Sequence, residues 1–170
     1  MNNEDVKQII EDCKKDLLRT ESVINETLGA TSPIVPYLTH YAVIRACGTI
    51  EVAFKDIITD HCIKRTKKQV KFYLENKVRN SSMNPSYDNI CKTLNNFDPE
   101  WKEKFKEEIG NQTNQDQIRT SIKSLVENRN LIAHGGHTNL TITDIIYYFN
   151  NSIIAIKILD NIISGVHTIA

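Results

Sequence analysis

The residues best suited to chemistry lie between Leu125 and His137, in the run Leu-Val-Glu-Asn-Arg-Asn-Leu-Ile-Ala-His-Gly-Gly-His. On a helix, Asn130 and His134 share one face, and the long Arg129 side chain reaches round from the adjoining face. His134 falls in the last turn, ahead of a glycine pair, where unpaired carbonyls favour the charged imidazolium. An imidazole that exchanges a proton near neutral pH beside a fixed guanidinium suits chemistry at a phosphodiester: one group moves the proton, the other binds the phosphate. The plain alternative is an ordinary helix end, with Arg129 in a surface ion pair and His134 capping backbone carbonyls.

Three other groups of residues bear on that reading. Glu51 lies on the apolar stripe Ile44–Cys47–Phe54–Ile58, and a buried carboxylate needs a partner. Arg129 and Arg45 are the candidates: paired with Arg129, Glu51 orients the guanidinium; paired with Arg45 or a Lys, it is an internal salt bridge. The run 64–79 holds Lys64, Arg65, Lys67, Lys68, Lys71, Lys77 and Arg79 against the single Glu75, with Phe72 and Tyr73 between them. Such a mixture of cations and aromatic rings suits a nucleic-acid strand beside the site, and it equally describes a solvated helix face. His134-x-x-His137 has the look of a metal pair, but no further ligand is placed nearby and Gly135-Gly136 breaks the helix between them, so no metal is expected. His40, His61 and His167 have no visible partner. There is no Gly-rich phosphate loop, nucleophile elbow or catalytic carboxylate pair.

The elements that must position these residues are helical almost throughout. Val6, Ile9, Ile10, Cys13, Leu17, Ile24 and Leu28 recur at helical spacing and predict a helix over 3–29, stopped by Gly29. A connector with Pro33 and Pro36 leads to a second helix over about 37–65. The basic run follows as a helix or helical extension, then the loop 81–86 and two short helices, about 87–96 and 99–109, the latter opened by Asp98-Pro99. A helix over about 115–134 carries the motif, and Thr141-x-x-Asp144 opens a last one running to about Ser164, although Asp fits that capping position less well than Glu. The fold class is all-α, an up-and-down bundle of four long helices plus one or two short ones, in one domain over 1–170. The stretch 142–166 is so apolar that it is either central to the bundle or a dimer interface.

Composition sets outer limits. With 170 residues, 40% hydrophobic and 25% charged, the chain is an ordinary globular one, which excludes filaments and disordered tails. The balance of 21 basic against 21 acidic residues excludes a protein that coats nucleic acid through bulk charge, but allows a local basic patch. The N-terminus is acidic and polar, unlike a signal peptide, and Asn150, Asn151, Lys157, Asp160 and Asn161 spoil the most apolar stretch as a membrane span. Cys13, Cys47, Cys62 and Cys91 lie far apart without a CxxC pair, as reduced core residues of a cytoplasmic protein do.

The segment Arg129-Asn130-x-x-x-His134 resembles the R-x4-H signature of the HEPN superfamily in its R-N-x-x-x-H form. The layout is similar too, with the motif at the end of the penultimate long helix and a hydrophobic helix after it. The segment IRACGTIEVAFKDII (44–58) is similar to the earlier helix of RiboL-PSP-like HEPN domains, where a Glu stands amid apolar residues. The resemblance covers most of 37–164. It implies a metal-independent, cofactor-free endoribonuclease acting as a homodimer, in which two Arg/His pairs line one cleft. Arg129 would then bind the scissile phosphate, His134 would act as general base or acid, and Asn130 would orient His134 or contact the phosphate. Glu51 would support Arg129, while Lys64, Arg65, Lys67, Lys68, Lys71 and His137 would bind RNA. The products would be a 2′,3′-cyclic phosphate and a 5′-OH, with DNA resistant for lack of the nucleophile. The resemblance further implies a cytoplasmic toxin or anti-phage defence effector, with tRNA or mRNA as substrate and an antitoxin or sensor as partner. The alternatives are a non-catalytic HEPN-like module for dimerisation or nucleotide or protein binding, and an unrelated helical adaptor.

Overall fold

A computed structural model describes residues 1–29, 31–64 and 66–165, so Arg65 of the basic run and His167 lie outside the described residues. Seven helices and no strand are present among them. Four are long: α1 (Glu4–Ser22), α2 (Val35–Ile63), α6 (Gln115–Ala133) and α7 (Ile142–Ser164). Three are short: α3 (Lys68–Leu74), α4 (Tyr87–Phe97) and α5 (Pro99–Gly110). The count of short helices exceeds the expected one or two because the basic run turns away from α2 instead of extending it.

The helix ends follow their side chains. Asn3 accepts from the Val6 N–H, Ser86 from Asn89 and Asp98 from Glu100. At α7, Thr141 and Asp144 close both arms of a capping box, at 3.1 and 2.9 Å, so Asp serves where Glu is the commoner residue. Two helices end in wider π-helical turns, α1 over Val23–Leu28 and α3 over Glu75–Arg79.

Cross-links between helices set their directions. Asn3 donates to Asp60 at 2.9 Å while Arg45 pairs with Asp16 at 3.0 Å, so α1 and α2 run antiparallel. Asn2 and Asn3 meet Asp160 at one end of α1, and Thr143 meets Glu21 at the other, so α7 also opposes α1. Glu51 faces Arg129 and His40 faces His137, so the α6 segment opposes α2. The long helices therefore alternate in direction along the chain.

Helix α7 is the centre of this arrangement, packed on α6 and α2 and also touching α1 and α5. This decides between the two expectations for 142–166. Its buried Asn151 and Ser152 donate to the carbonyls of Tyr147 and Tyr148, at 3.2 and 2.8 Å, which removes the cost of burying them. One apolar cluster draws on α1, α2, α4, α5, α6 and α7, with Phe54, Phe105 and Phe149 fully buried within it. All four cysteines are free.

Candidate active site

The site begins at the end of α6. His134 occupies the helix cap, and its N–H bonds to the carbonyls of Asn130 and Leu131. Beyond it the Gly135 N–H reaches the Ile132 carbonyl at 3.0 Å and the Gly136 N–H reaches that of Leu131 at 2.9 Å. This pair of bonds is the Schellman closure of a helix, and it needs a left-handed residue at its turn. Gly135 supplies it, with φ +80°. Gly136 is required for a different reason: a Cβ there would lie 2.5 Å from Leu131 Cδ1 and 3.0 Å from Leu131 O. Thr138 then donates to the Asn128 side chain at 2.6 Å and accepts from the Leu140 N–H at 3.1 Å, tying the outgoing loop back to α6.

One turn behind, Arg129 stands between two oxygen partners. Its Nη2 is 3.6 Å from Glu51 Oε2, and its Nη1 donates to Asn130 Oδ1 at 3.2 Å. Glu51 is 13% exposed and Arg129 32%, so the carboxylate anchors the guanidinium from within and leaves part of it open. Arg45, the other candidate partner of Glu51, is taken up by Asp16 and Thr49. Asn130 was expected to orient His134 or to meet a phosphate; its side chain instead lies on Arg129, and only its backbone carbonyl touches His134.

Glu51 serves more than Arg129. Its Oε1 accepts from Lys55 Nζ at 3.0 Å and from the Met83 N–H at 3.1 Å. Lys55, 6% exposed, also donates to the Ser81 carbonyl at 2.6 Å. Glu51 thus meets two of its expected partners at once, Arg129 on one oxygen and a Lys on the other. Cys47, one turn before Glu51, completes the wall. Burial pushes its thiol up to about 12, against the pull of Arg129 and with a further push from Glu51, so it stays a neutral thiol.

Lys55, Cys47 and His40 were missed in the sequence. A signal existed for Lys55, which follows Glu51 by one helical turn on a face shared with Ile58. None existed for His40, whose ring lies against His137, with centroids 5.5 Å apart and planes 28° from parallel. His61 has a partner as well, an edge contact with Trp101.

The basic run lies elsewhere. Lys64, Lys67, Lys68 and Lys71 are all exposed, as are Phe72 (73%) and Tyr73 (62%). The chain reverses after Lys64, and α3 returns along α2 until Arg79 meets Asp56, Asp60 and Glu75. Lys64 stands 13 residues along α2 from Glu51, about 20 Å at 1.5 Å per residue, and His40 lies beyond Glu51 in the other direction. Within one chain the basic helix therefore does not border His134 or His137. Helix α2 itself carries Lys64 to its far end, and the returning chain reaches Asp56 and Asp60 at Arg79 and Glu51 only at Met83. Arg79 is neutralised by three carboxylates and leaves the exposed set. Among the described residues no three of His, Cys, Asp and Glu stand close enough to share a metal ion, and no helix is long and apolar enough to cross a membrane.

The sequence profile of one protein family, RiboL-PSP-HEPN, matches residues 2–165. No curated protein and no solved structure matches the chain significantly.

Proposed function

Because the chain belongs to the RiboL-PSP-HEPN family, we propose that it is a metal-independent endoribonuclease whose reacting groups are Arg129 and His134. The observation that carries this reading is the ion pair of Arg129 with the buried Glu51, beside an exposed His134 held at a rigid helix end. A guanidinium fixed before substrate arrives needs little reorganisation to stabilise charge on a pentacoordinate phosphate. The His134 imidazole takes the proton of the ribose 2′-OH as that oxygen attacks phosphorus, or donates one to the departing 5′-oxygen. The bond to the 5′-oxygen breaks, leaving a 2′,3′-cyclic phosphate and a 5′-OH. No step calls for a metal or cofactor. Asn130 acts through Arg129, sharing with Glu51 the work of aiming it.

The active form in this reading is a homodimer with two Arg/His pairs in one cleft, supported by the half-exposed Leu131 within the motif and Ile44 on the stripe of α2. Lys64, Arg65, Lys67, Lys68 and Lys71 form a remote contact for the same RNA, tRNA or mRNA, and His137 a near one. The reading extends to a cytoplasmic toxin or anti-phage defence effector, held in check by an antitoxin or sensor protein.

Purified protein incubated with tRNA, mRNA and single-stranded DNA, with and without EDTA, tests the core of this. RNA alone should be cut, EDTA should not matter, and Arg129→Ala and His134→Ala should each lose about 10²-fold or more. Equal activity in wild type and variants would expose a contaminant, and no cleavage of any RNA would leave a binding module.

A further inference from the structure

We propose that His137, backed by His40, is a stacking subsite for the nucleobase next to the phosphate held at Arg129 and His134; this rests on the ribonuclease reading. Helix α2 presents His40, Ile44, Cys47 and Glu51 along one stripe facing the motif segment. At one end of that stripe Glu51 meets Arg129, and at the other His40 meets His137. His134 lies between the two contacts in the chain, so the phosphate groups and the imidazole pair follow one another along a single line.

The placement of His137 is rigid. Gly135 and Gly136 fix the chain just before it through the two closing bonds to Ile132 and Leu131. Thr138 fixes it just after, through Asn128, the neighbour of Arg129. The His137 side chain is exposed, with His40 stacked at 28° on one face, which leaves the remainder of the ring open. His40 is half-buried, and its Nε2 is buried without a hydrogen-bond partner among the described residues. A fixed, half-covered aromatic ring beside a phosphate site is what unstacked bases of single-stranded RNA settle on. A two-ring base offers a larger and more polarisable π-face for stacking than a one-ring base, so the subsite favours purines.

Two measurements test this independently of each other. In the first, short RNAs with one cleavable linkage carry each of the four bases on either side of it. The wild type should prefer purines by about tenfold in kcat/KM at one of the two positions, His137→Phe should keep that preference, and His137→Ala should reduce it to within twofold. In the second, uncleavable 2′-deoxy analogues carry 2-aminopurine at each flanking position, whose fluorescence is quenched by stacking. Quenching should occur with wild type and His137→Phe and disappear with His137→Ala. Quenching that depends on His137, in a protein that cuts no RNA, would sustain the subsite and overturn the ribonuclease reading. Cleavage with no quenching at either position, or with quenching unchanged in His137→Ala, would sustain the nuclease and overturn the subsite.

Discussion

Glu51 divides its two oxygens between Arg129 and Lys55, and that division makes the two contacts separable. Lys55 is the more buried partner, held by Glu51 and the Ser81 carbonyl. Removing one member of a buried ion pair leaves the other without compensation and costs about 3–5 kcal/mol. Lys55→Met should therefore lower stability by roughly 3 kcal/mol, read from the urea midpoint. Glu51→Gln keeps the shape, but with its one carbonyl oxygen towards Lys55 and Met83 it turns an amide NH2, a donor, towards Arg129. It should stay folded while kcat falls about 10-fold or more; a kcat equal to wild type would reduce Glu51 to a structural bridge. The stripe does not single out Lys55 as the Lys in question, because a Lys in a helix is by default a surface group.

Asp56, on α2 beside Arg79, carries a pH effect of its own. Burial pushes its carboxyl above the ordinary carboxylate value, with Arg79 pulling it down and Asp60 pushing it up. The folded state thus binds this proton more tightly than the unfolded chain. Its favourable contribution is present below the unfolded value and is lost as pH rises through the folded one. Arg79 keeps Asp60 and Glu75 when Asp56 is removed. Asp56→Asn should accordingly raise the urea midpoint at pH 7, and the gain should shrink below pH ~4, where the wild-type carboxyl is protonated in both states. A lower midpoint at pH 7 would mean that the contact with Arg79, at 3.6 Å, outweighs the burial.

At the scale of elements, the closure of α6 is what holds His134 in place. A non-glycine residue at the φ of +80° found for Gly135 costs about 1–2 kcal/mol. Gly135→Ala should destabilise by that amount in urea and reduce cleavage, whereas Gly135→Asn, which tolerates the left-handed region, should recover much of both. The basic helix makes the opposite kind of prediction, since it touches nothing in the site. Changing Lys67, Lys68 and Lys71 to Gln should weaken RNA binding, flattening the plot of log affinity against log salt by about 2, from roughly 0.7 per single-strand phosphate contact. The loss should appear for long RNAs and vanish for oligonucleotides too short to span the ~20 Å back to Glu51.

These elements also mark how far the sequence could be read. The helices follow from apolar spacing and from Asn3, Ser86, Asp98 and Thr141 at their starts, because those signals are local. The motif face was legible for the same reason: Arg129, Asn130 and His134 lie within two turns of one helix. What escaped depends on chain reversals. The basic run could not be placed without the turn after Lys64, and the contact of His40 with His137 joins residues far apart in sequence. Which neighbour the Asn130 amide meets, Arg129 or His134, is not legible either, because both are within reach and only packing selects Arg129.

At the scale of the whole molecule, zero net charge conceals an uneven surface: exposed lysines at one end of α2, the Arg129–His134 site towards the other, and half-exposed Ile44 and Leu131 beside that site. Apolar groups left open beside a charged site are what a second copy of the chain would cover. The protein should then scatter light at micromolar concentration as twice its chain mass, and Ile44→Glu with Leu131→Glu should give a folded, inactive monomer. A stricter test asks whether the cleft is shared. Arg129→Ala and His134→Ala are each expected to be inactive alone. After unfolding and refolding together, about half of randomly paired dimers contain one of each. If the two subunits line one cleft, those mixed dimers hold one intact Arg and one intact His facing the same phosphate, and cleavage should reappear well above either parent. If each subunit works with its own pair, no mixed dimer has a complete set and mixing restores nothing. Rescue by mixing would therefore place the scissile phosphate between the two copies, whereas activity in a monomeric wild type would confine it to one.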